Sequence, residues 1–178
     1  MTQPTTHRRA RLGVESGQYF LFSPDTGMQA LPGLPERVDN GVAVVADDGV
    51  CLLSGMDSGD IWLGVEVWEA PPPLDLDSWD DVVETTITST TGELTPAEVN
   101  AEPDEEQVDW PNLAATGPGT YRLRISVRGR DAGADADYLE EDEEPVEEHR
   151  LQAWPAPAEP DVIHQAGDRI GAYWRTGA

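Results

Sequence analysis

Two stretches of this chain alternate apolar and polar residues so strictly that they read as strands. In "GTYRLRISVRGR" (119–130), Tyr121, Leu123, Ile125 and Val127 share one phase, and Arg122, Arg124, Ser126 and Arg128 share the other. In "DIWLGVEVWEA" (60–70), Ile61, Leu63, Val65 and Val67 alternate with Trp62, Glu66 and Trp68. Period two sends successive side chains to opposite faces of a sheet, so the aliphatic phase is expected in a core and the other in solvent. Further segments fit the same class. "QYFLFS" (18–23) ends at the turn signal "PDTG", and "DDVVETTITST" (80–90) is rich in β-branched residues. "GVAVVADDGVCLLSG" (41–55) holds two β-rich runs around Asp47-Asp48-Gly49, a hairpin signal because Gly tolerates positive φ and Asp bonds its own backbone. "EEHRLQAWPAP" (147–157) supplies another strand, with His149, Leu151 and Ala153 opposite Arg150, Gln152 and Trp154.

No segment sustains a 3.6-residue apolar period. "TPAEVNAEPDEEQ" (95–107) opens like a helix, with Thr95 as cap and Pro96 in the first turn, and Pro103 cuts it short. Many short strands with turns between them predict an all-β fold, a single antiparallel β-sandwich domain over 15–178. Residues 1–14 are expected to form a flexible N-terminal arm whose Arg8, Arg9 and Arg11 can fold back on the acidic body. Two long acidic loops interrupt the strands, near 98–109 and 131–148. Connections of that length tend to be functional or disordered.

Charge narrows the function. The 178 residues hold 35 Asp and Glu against 11 basic residues, all of them Arg, for a formal charge of −24. Such a field repels nucleic acid and anionic membrane and speeds encounter with basic proteins. Direct nucleic-acid binding and membrane binding are therefore excluded as expectations. The stretch "GADADYLEEDEEPVEEH" concentrates nine of the carboxylates between Asp135 and Glu148 with no Arg among them. The basic N-terminus is followed by no apolar h-region, and no apolar run is long enough to span a bilayer, so a cytoplasmic location is expected.

Catalytic constellations are missing. His7, His149 and His164 stand beside no recognisable nucleophile motif, and a phosphate loop would need a Lys. The lone Cys51, inside "GVCLLSG", reads as a small buried apolar side chain. Asp131, Asp135 and Asp137 lie close together without the order of an EF-hand loop, so no metal or cofactor is expected. The Arg122, Arg124, Arg128 and Arg130 row reads as a solvated face pairing with Glu147 or Glu84. Of the six tryptophans, Trp62 and Trp68 sit on the polar phase of their strand and are candidates for an exposed contact platform.

The segments "SGQYFLFSPD", "GVAVVADDGVCLLSG", "IWLGVEVWEAPP", "WDDVVETTI", "GPGTYRLRISVRGRD" and "EEHRLQAWPAP", taken in order over about 17–157, resemble the competence protein J (ComJ) type of small bacterial protein. The resemblance implies a non-enzymatic inhibitor of a nuclease, and it carries no inhibitory residue across position by position. Combined with the charge, it leads to an acidic binding protein that neutralises a basic partner of the nuclease or immunity type. The expected contacts are Asp135, Asp137, Glu140, Glu141, Asp142, Glu143, Glu144, Glu147 and Glu148, the second acidic group Asp104, Glu105 and Glu106, and Trp68 as an aromatic anchor. The alternative is a non-catalytic accessory β-sandwich module whose acidity serves solubility.

Overall fold

The computed structural model describes residues 3–97 and 107–177. In chain order the strands are β1 (Thr6–Glu15), β2 (Gln18–Phe22), β3 (Ala43–Ala46), β4 (Gly49–Leu53), β5 (Ser58–Val67), β6 (Asp81–Ser89), β7 (Thr95–Ala97), β8 (Gly119–Arg128), β9 (Glu148–Pro155) and β10 (Val162–Ala166). A single 3-10 turn (Gly27–Ala30) and two short helices, α1 (Arg130–Ala136) and α2 (Arg169–Thr176), complete the described chain. None of its helices is long and apolar enough to cross a membrane.

The strands form one continuous sheet in the order β10-β6-β8-β9-β5-β1-β2-β4-β3, with β7 pairing β2 off this path. This corrects the expected antiparallel sandwich in two respects. First, β9 inserts between β8 and β5 and runs parallel to β5, from Trp62 opposite Glu148 to Val67 opposite Ala153. Second, there are not two separate sheets but a single curled one. The bend is at the β1–β2 turn, where Ser16 and Gly17 take φ of 54° and 70° and only Glu15 and Gln18 pair across the hairpin. Beyond that turn β1 follows β5 for its whole length while β2 leaves for β4 and β7. The sheet therefore rolls into a half-barrel around one core, which takes Leu12, Leu21, Leu52, Leu63, Ile87, Leu123 and Leu151 from seven different strands. Each of these sits on the apolar phase of its strand, as period two requires.

The expected flexible arm is a strand. Residues 6–15 pair residue for residue with β5 from Thr6–Val67 to Glu15–Ser58, and Leu12 and Val14 enter the core. β5 would otherwise present an unpaired edge, which β1 satisfies. The hairpin at Asp47-Asp48 forms, but the positive φ falls on Asp48, at 62°, and Gly49 already belongs to β4. Asp48 also accepts from the backbone N–H and hydroxyl of Thr90, at 2.6 and 2.5 Å, and so pins the hairpin tip to the end of β6. β4 is buried on both faces because α2 covers its second one, where Trp174 packs near Val38, Cys51 and Leu53. Burial pushes the Cys51 thiol up to about 11, as suits an inert buried side chain.

The arginine row is not solvated: Arg122, Arg124 and Ser126 are all buried. Two proline-rich segments cross this outer face. Arg124 donates to the carbonyls of Pro72 and Pro73 at 2.9 and 3.1 Å and to Glu84 at 3.1 Å. Arg122 donates to the carbonyls of Glu159 and Pro160 at 2.8 and 3.2 Å. Proline has no N–H to offer a sheet, so its segments lie across strands, and their carbonyls need side-chain donors. Arg128 alone of the alternating set remains exposed.

Candidate functional site

The acidic stretch 135–148 folds against the N-terminal strand. Arg9 and Arg11 lie on the outer face of β1, in register with Gly64 and Trp62 of β5. The Arg9 guanidinium lies 4.1 Å from the centre of the Trp62 ring, and Arg11 lies 5.5 Å from it. Arg9 Nε donates to Glu148 Oε1 at 2.8 Å, and Arg128 Nη2 donates to Glu148 Oε2 at 2.6 Å. Trp62 Nε1 donates to Glu144 at 2.9 Å. Arg11 gathers the carbonyls of Glu141 and Glu143 at 3.2 and 3.1 Å and the Glu144 carboxylate at 3.4 Å. The fold-back that the N-terminal arginines allowed is thus present, in a strand rather than an arm. A cavity of about 260 Å³ lies beside it, between Trp62, Arg128, Pro145 and Glu148.

Burial raises the Glu148 carboxyl, but the hydrogen bonds of Arg9 and Arg128 outweigh it and hold the group below the usual carboxylate range. A depressed folded value means that the stabilisation is fully present above the unfolded value, about 4.3, and is lost as pH falls through the lower folded one. The Arg9–Glu148–Arg128 contact is therefore expected to hold at neutral pH and to open in acid. Protection factors of the amides of residues 141–148 against pH check this, and protection that stays constant as pH falls below about 4.3 would contradict it.

The predicted contact residues separate into three groups. Asp137, Glu140, Glu141, Asp142 and Glu143 are exposed, and none has an arginine side chain within ion-pair distance among the described residues. They form a ridge that its own groups shape: Tyr138 donates to Glu140 at 3.1 Å, and the Glu140 N–H donates to Glu143 at 2.7 Å. The hydrogen bond to Glu140 also raises the Tyr138 phenol above its ordinary value. Asp135, Glu144 and Glu148 are neutralised within the chain, Asp135 by Arg169 at 3.0 Å. Glu147 and Trp68 are buried instead. Glu147 is 1% exposed and holds core backbone, and Trp68 is 8% exposed with its indole N–H on Glu66 at 2.8 Å. Asp104, Glu105 and Glu106 lie outside the described residues.

Sequence reasoning missed Arg128 as the second partner of Glu148 and Gly129 as the reason the stretch can approach. Gly129 has φ 77°, and a Cβ there would lie 2.2 Å from the carbonyl oxygen of Val146. The alternation in "SVRGRD" places Arg128 on the outer face, but the sequence does not show that β9 runs beside it. The only His flanked by polar partners in the core, His149, is sealed: its Nδ1 faces the Tyr19 hydroxyl at 2.9 Å and its Nε2 faces Glu147 at 2.6 Å, all essentially without solvent. Such a chain of hydrogen bonds has no substrate access.

No protein-family model matches the sequence, and no curated protein matches it. Among solved structures, the fold is similar to that of ComJ from Bacillus subtilis, described as an inhibitor of the DNA-degrading activity of NucA, with a TM-score of 0.56 at 12% identity, over 88% of this chain and 99% of that one. A protein described as crocagin biosynthetic gene J aligns over 86% of this chain and all of its own, with a TM-score of 0.46 at 14% identity. The ComJ-like character implied by the strand motifs is thus present in the fold.

Proposed function

We propose that this chain is a non-enzymatic inhibitor that binds a basic protein partner, a nuclease, through the carboxylate ridge Asp137, Glu140, Glu141, Asp142 and Glu143. The observation that carries the reading is that this ridge stays free of arginine side chains while its neighbours Asp135, Glu144 and Glu148 are neutralised internally. The shared fold with a nuclease inhibitor supports the choice of partner class. Nucleases present cationic grooves to DNA, and a ridge of carboxylates beside the contacts of Trp62, Arg9 and Arg11 offers such a groove negative charge in place of phosphates. Anchoring also lowers the ordering cost of binding, because the base of the stretch is already held.

The test compares the wild-type chain with a variant carrying Asn or Gln at the five ridge positions. A nuclease captured by the wild type from its host is assayed for DNA degradation with each protein added. Loss of the ridge is expected to slow association by about tenfold or more and to remove most of its salt dependence. Equal inhibition by both proteins would transfer the function to another surface. Capture of no nuclease by either would favour the accessory-module reading.

A further inference from the structure

One half-buried guanidinium on the outer face of the sheet keeps two shielded nitrogens without a partner. Arg150 of β9 lies between its cross-strand partners Gly64 of β5 and Ser126 of β8. Gly64 sets no side chain beside it and Ser126 only a small one. Its Nε and Nη2 are shielded from solvent and have no hydrogen-bond partner, and the same holds for Trp79 Nε1 and Ser126 Oγ. The Trp79 ring centre lies 4.9 Å from the Arg150 guanidinium and 5.0 Å from that of Arg128. The neighbouring carboxylates do not reach it: Glu66 accepts from Trp68 and Gln152 through Oε2 at 2.8 and 2.7 Å, Asp75 accepts the backbone N–H groups of Asp77 and Ser78 through Oδ1, and neither lies within ion-pair distance of Arg150. Among the described residues Arg150 makes no ion pair. Burial accordingly lowers its pKa, Glu66 and Asp75 oppose the shift, and Arg124 and Arg128 add to it.

The unpartnered atoms are those of the guanidinium's side-on edge, two parallel N–H bonds spaced to meet both oxygens of a carboxylate. The chain already uses this edge in one place. Arg130 grips Asp168 through Nε at 2.6 Å and Nη2 at 2.8 Å. We propose that the Nε–Nη2 edge of Arg150 is a binding site for a carboxylate group, with Trp79 Nε1 and Ser126 Oγ as further donors of the same site. Buried donors without acceptors are rare in folded proteins and call for a water or an ion. Water supplies acceptor oxygens but no charge to match the shielded edge of the guanidinium. Chloride supplies the charge but not the two-oxygen geometry. The segment 69–80 roofs the site, held by the carbonyls of Pro72, Pro73 and Ser78 on Arg124 and Arg128.

The experiment follows the indole N–H resonance of Trp79 while formate is titrated against chloride at matched ionic strength. A chain of charge −24 repels anions in general, so a saturable response reports a local site. Formate is expected to saturate with a half-point on the order of 10 mM, and chloride to produce no saturable shift. Arg150→Lys keeps the charge without the fork and is expected to weaken formate about tenfold. Arg150→Gln is expected to abolish binding. N-acetylglycine, with its amide as control, separates two sources of the same chemistry. Binding of both formate and N-acetylglycine marks a site open to a protein's carboxylate, and binding of formate alone marks a site for a free small acid. A linear formate response, a chloride curve that matches it, or an undiminished shift in Arg150→Gln overturns the proposal. If the substituted chains do not fold, the formate and chloride curves of the wild type decide. The outcome is independent of whether the ridge inhibits a nuclease.

Discussion

Arg130→Met is expected to cost the fold about 3–5 kcal/mol and to release α2 before the sheet melts. Arg130 is wholly buried just after β8, and each terminal nitrogen has work at a different element. Its Nε and Nη2 hold both oxygens of Asp168, the N-cap of α2, while Nη1 donates to the Gly41 carbonyl at 2.9 Å. Nη2 also lies 3.4 Å from Asp81 at the start of β6. Asp81 in turn accepts the backbone N–H groups of Gly167 and Asp168, both at 2.8 Å, and pairs with Arg175 of α2 at 3.3 Å. Removing the guanidinium leaves Asp168 without a cation and Asp81 with the partly exposed Arg175 alone. That is the situation in which breaking a buried pair costs most, because the abandoned charges cannot reach water. The space around Arg130 is tight as well: a Cβ on Gly55 would sit 1.8 Å from its carbonyl oxygen, and one on Gly171 would sit 2.8 Å from Nη2. Urea unfolding by fluorescence, with hydrogen exchange of residues 169–176, measures both parts of the expectation. A loss under 1 kcal/mol would show that the network is replaceable and that α2 is held by Trp174.

The contrast between Arg130 and its neighbours shows where the sequence was readable. Alternation placed Tyr121, Leu123, Ile125 and Val127 in the core, and Asp47-Asp48-Gly49 in a hairpin, because both signals are local and depend on residues within a few positions. The same alternation assigned Arg122 and Arg124 to the outer face, which is their face, but it could not say what lies over that face. The cover comes from residues 72–73 and 159–160, dozens of positions away, and proline-rich segments carry no period by which their docking could be read. The parallel β5–β9 pair escaped for a related reason. A parallel neighbour has to return by a long crossover, here through β6, β7 and β8, and no residue in either strand encodes that route. α2 is eight residues long, too short for a periodic signal to stand out, and its N-cap Asp168 is spent on a buried arginine. The candidate site was legible as chemistry: carboxylates, N-terminal arginines and Trp62. Which carboxylates face solvent was not, since composition treats Glu147 and Asp142 alike.

Those two residues are expected to behave as opposites. Glu147→Ala should cost about 3 kcal/mol or more, whereas Asp142→Asn should fall within about 0.5 kcal/mol of wild type. Glu147 accepts the Met56 N–H at 2.8 Å, the Gly55 N–H at 3.0 Å and His149 Nε2 at 2.6 Å, all out of contact with water. Burial, and then the charge of Glu147, raise the Tyr19 hydroxyl well above its ordinary value, so it keeps its proton 2.9 Å from His149 Nδ1. On its other side the ring sets Nε2 against the carboxylate. Alanine at 147 would therefore strand two backbone donors and an imidazole nitrogen together, each with a desolvation cost of its own. Glu147→Gln separates charge from shape: its carbonyl oxygen can serve the backbone donors, but its amide N–H₂ offers His149 a donor where an acceptor stood. An intermediate loss is expected for Gln, and thermal unfolding of the three variants ranks them. Equal losses for Ala and Gln would mean that the contact to His149 carries the energy, and a loss confined to Ala would assign it to Gly55 and Met56. Either way, a residue next to the exposed Val146 and inside the most acidic run of the chain is a core residue, so neutralising the whole run 135–148 would destabilise the sheet and confound any loss of a partner. A functional test must therefore spare Glu147 and change only Asp137, Glu140, Glu141, Asp142 and Glu143.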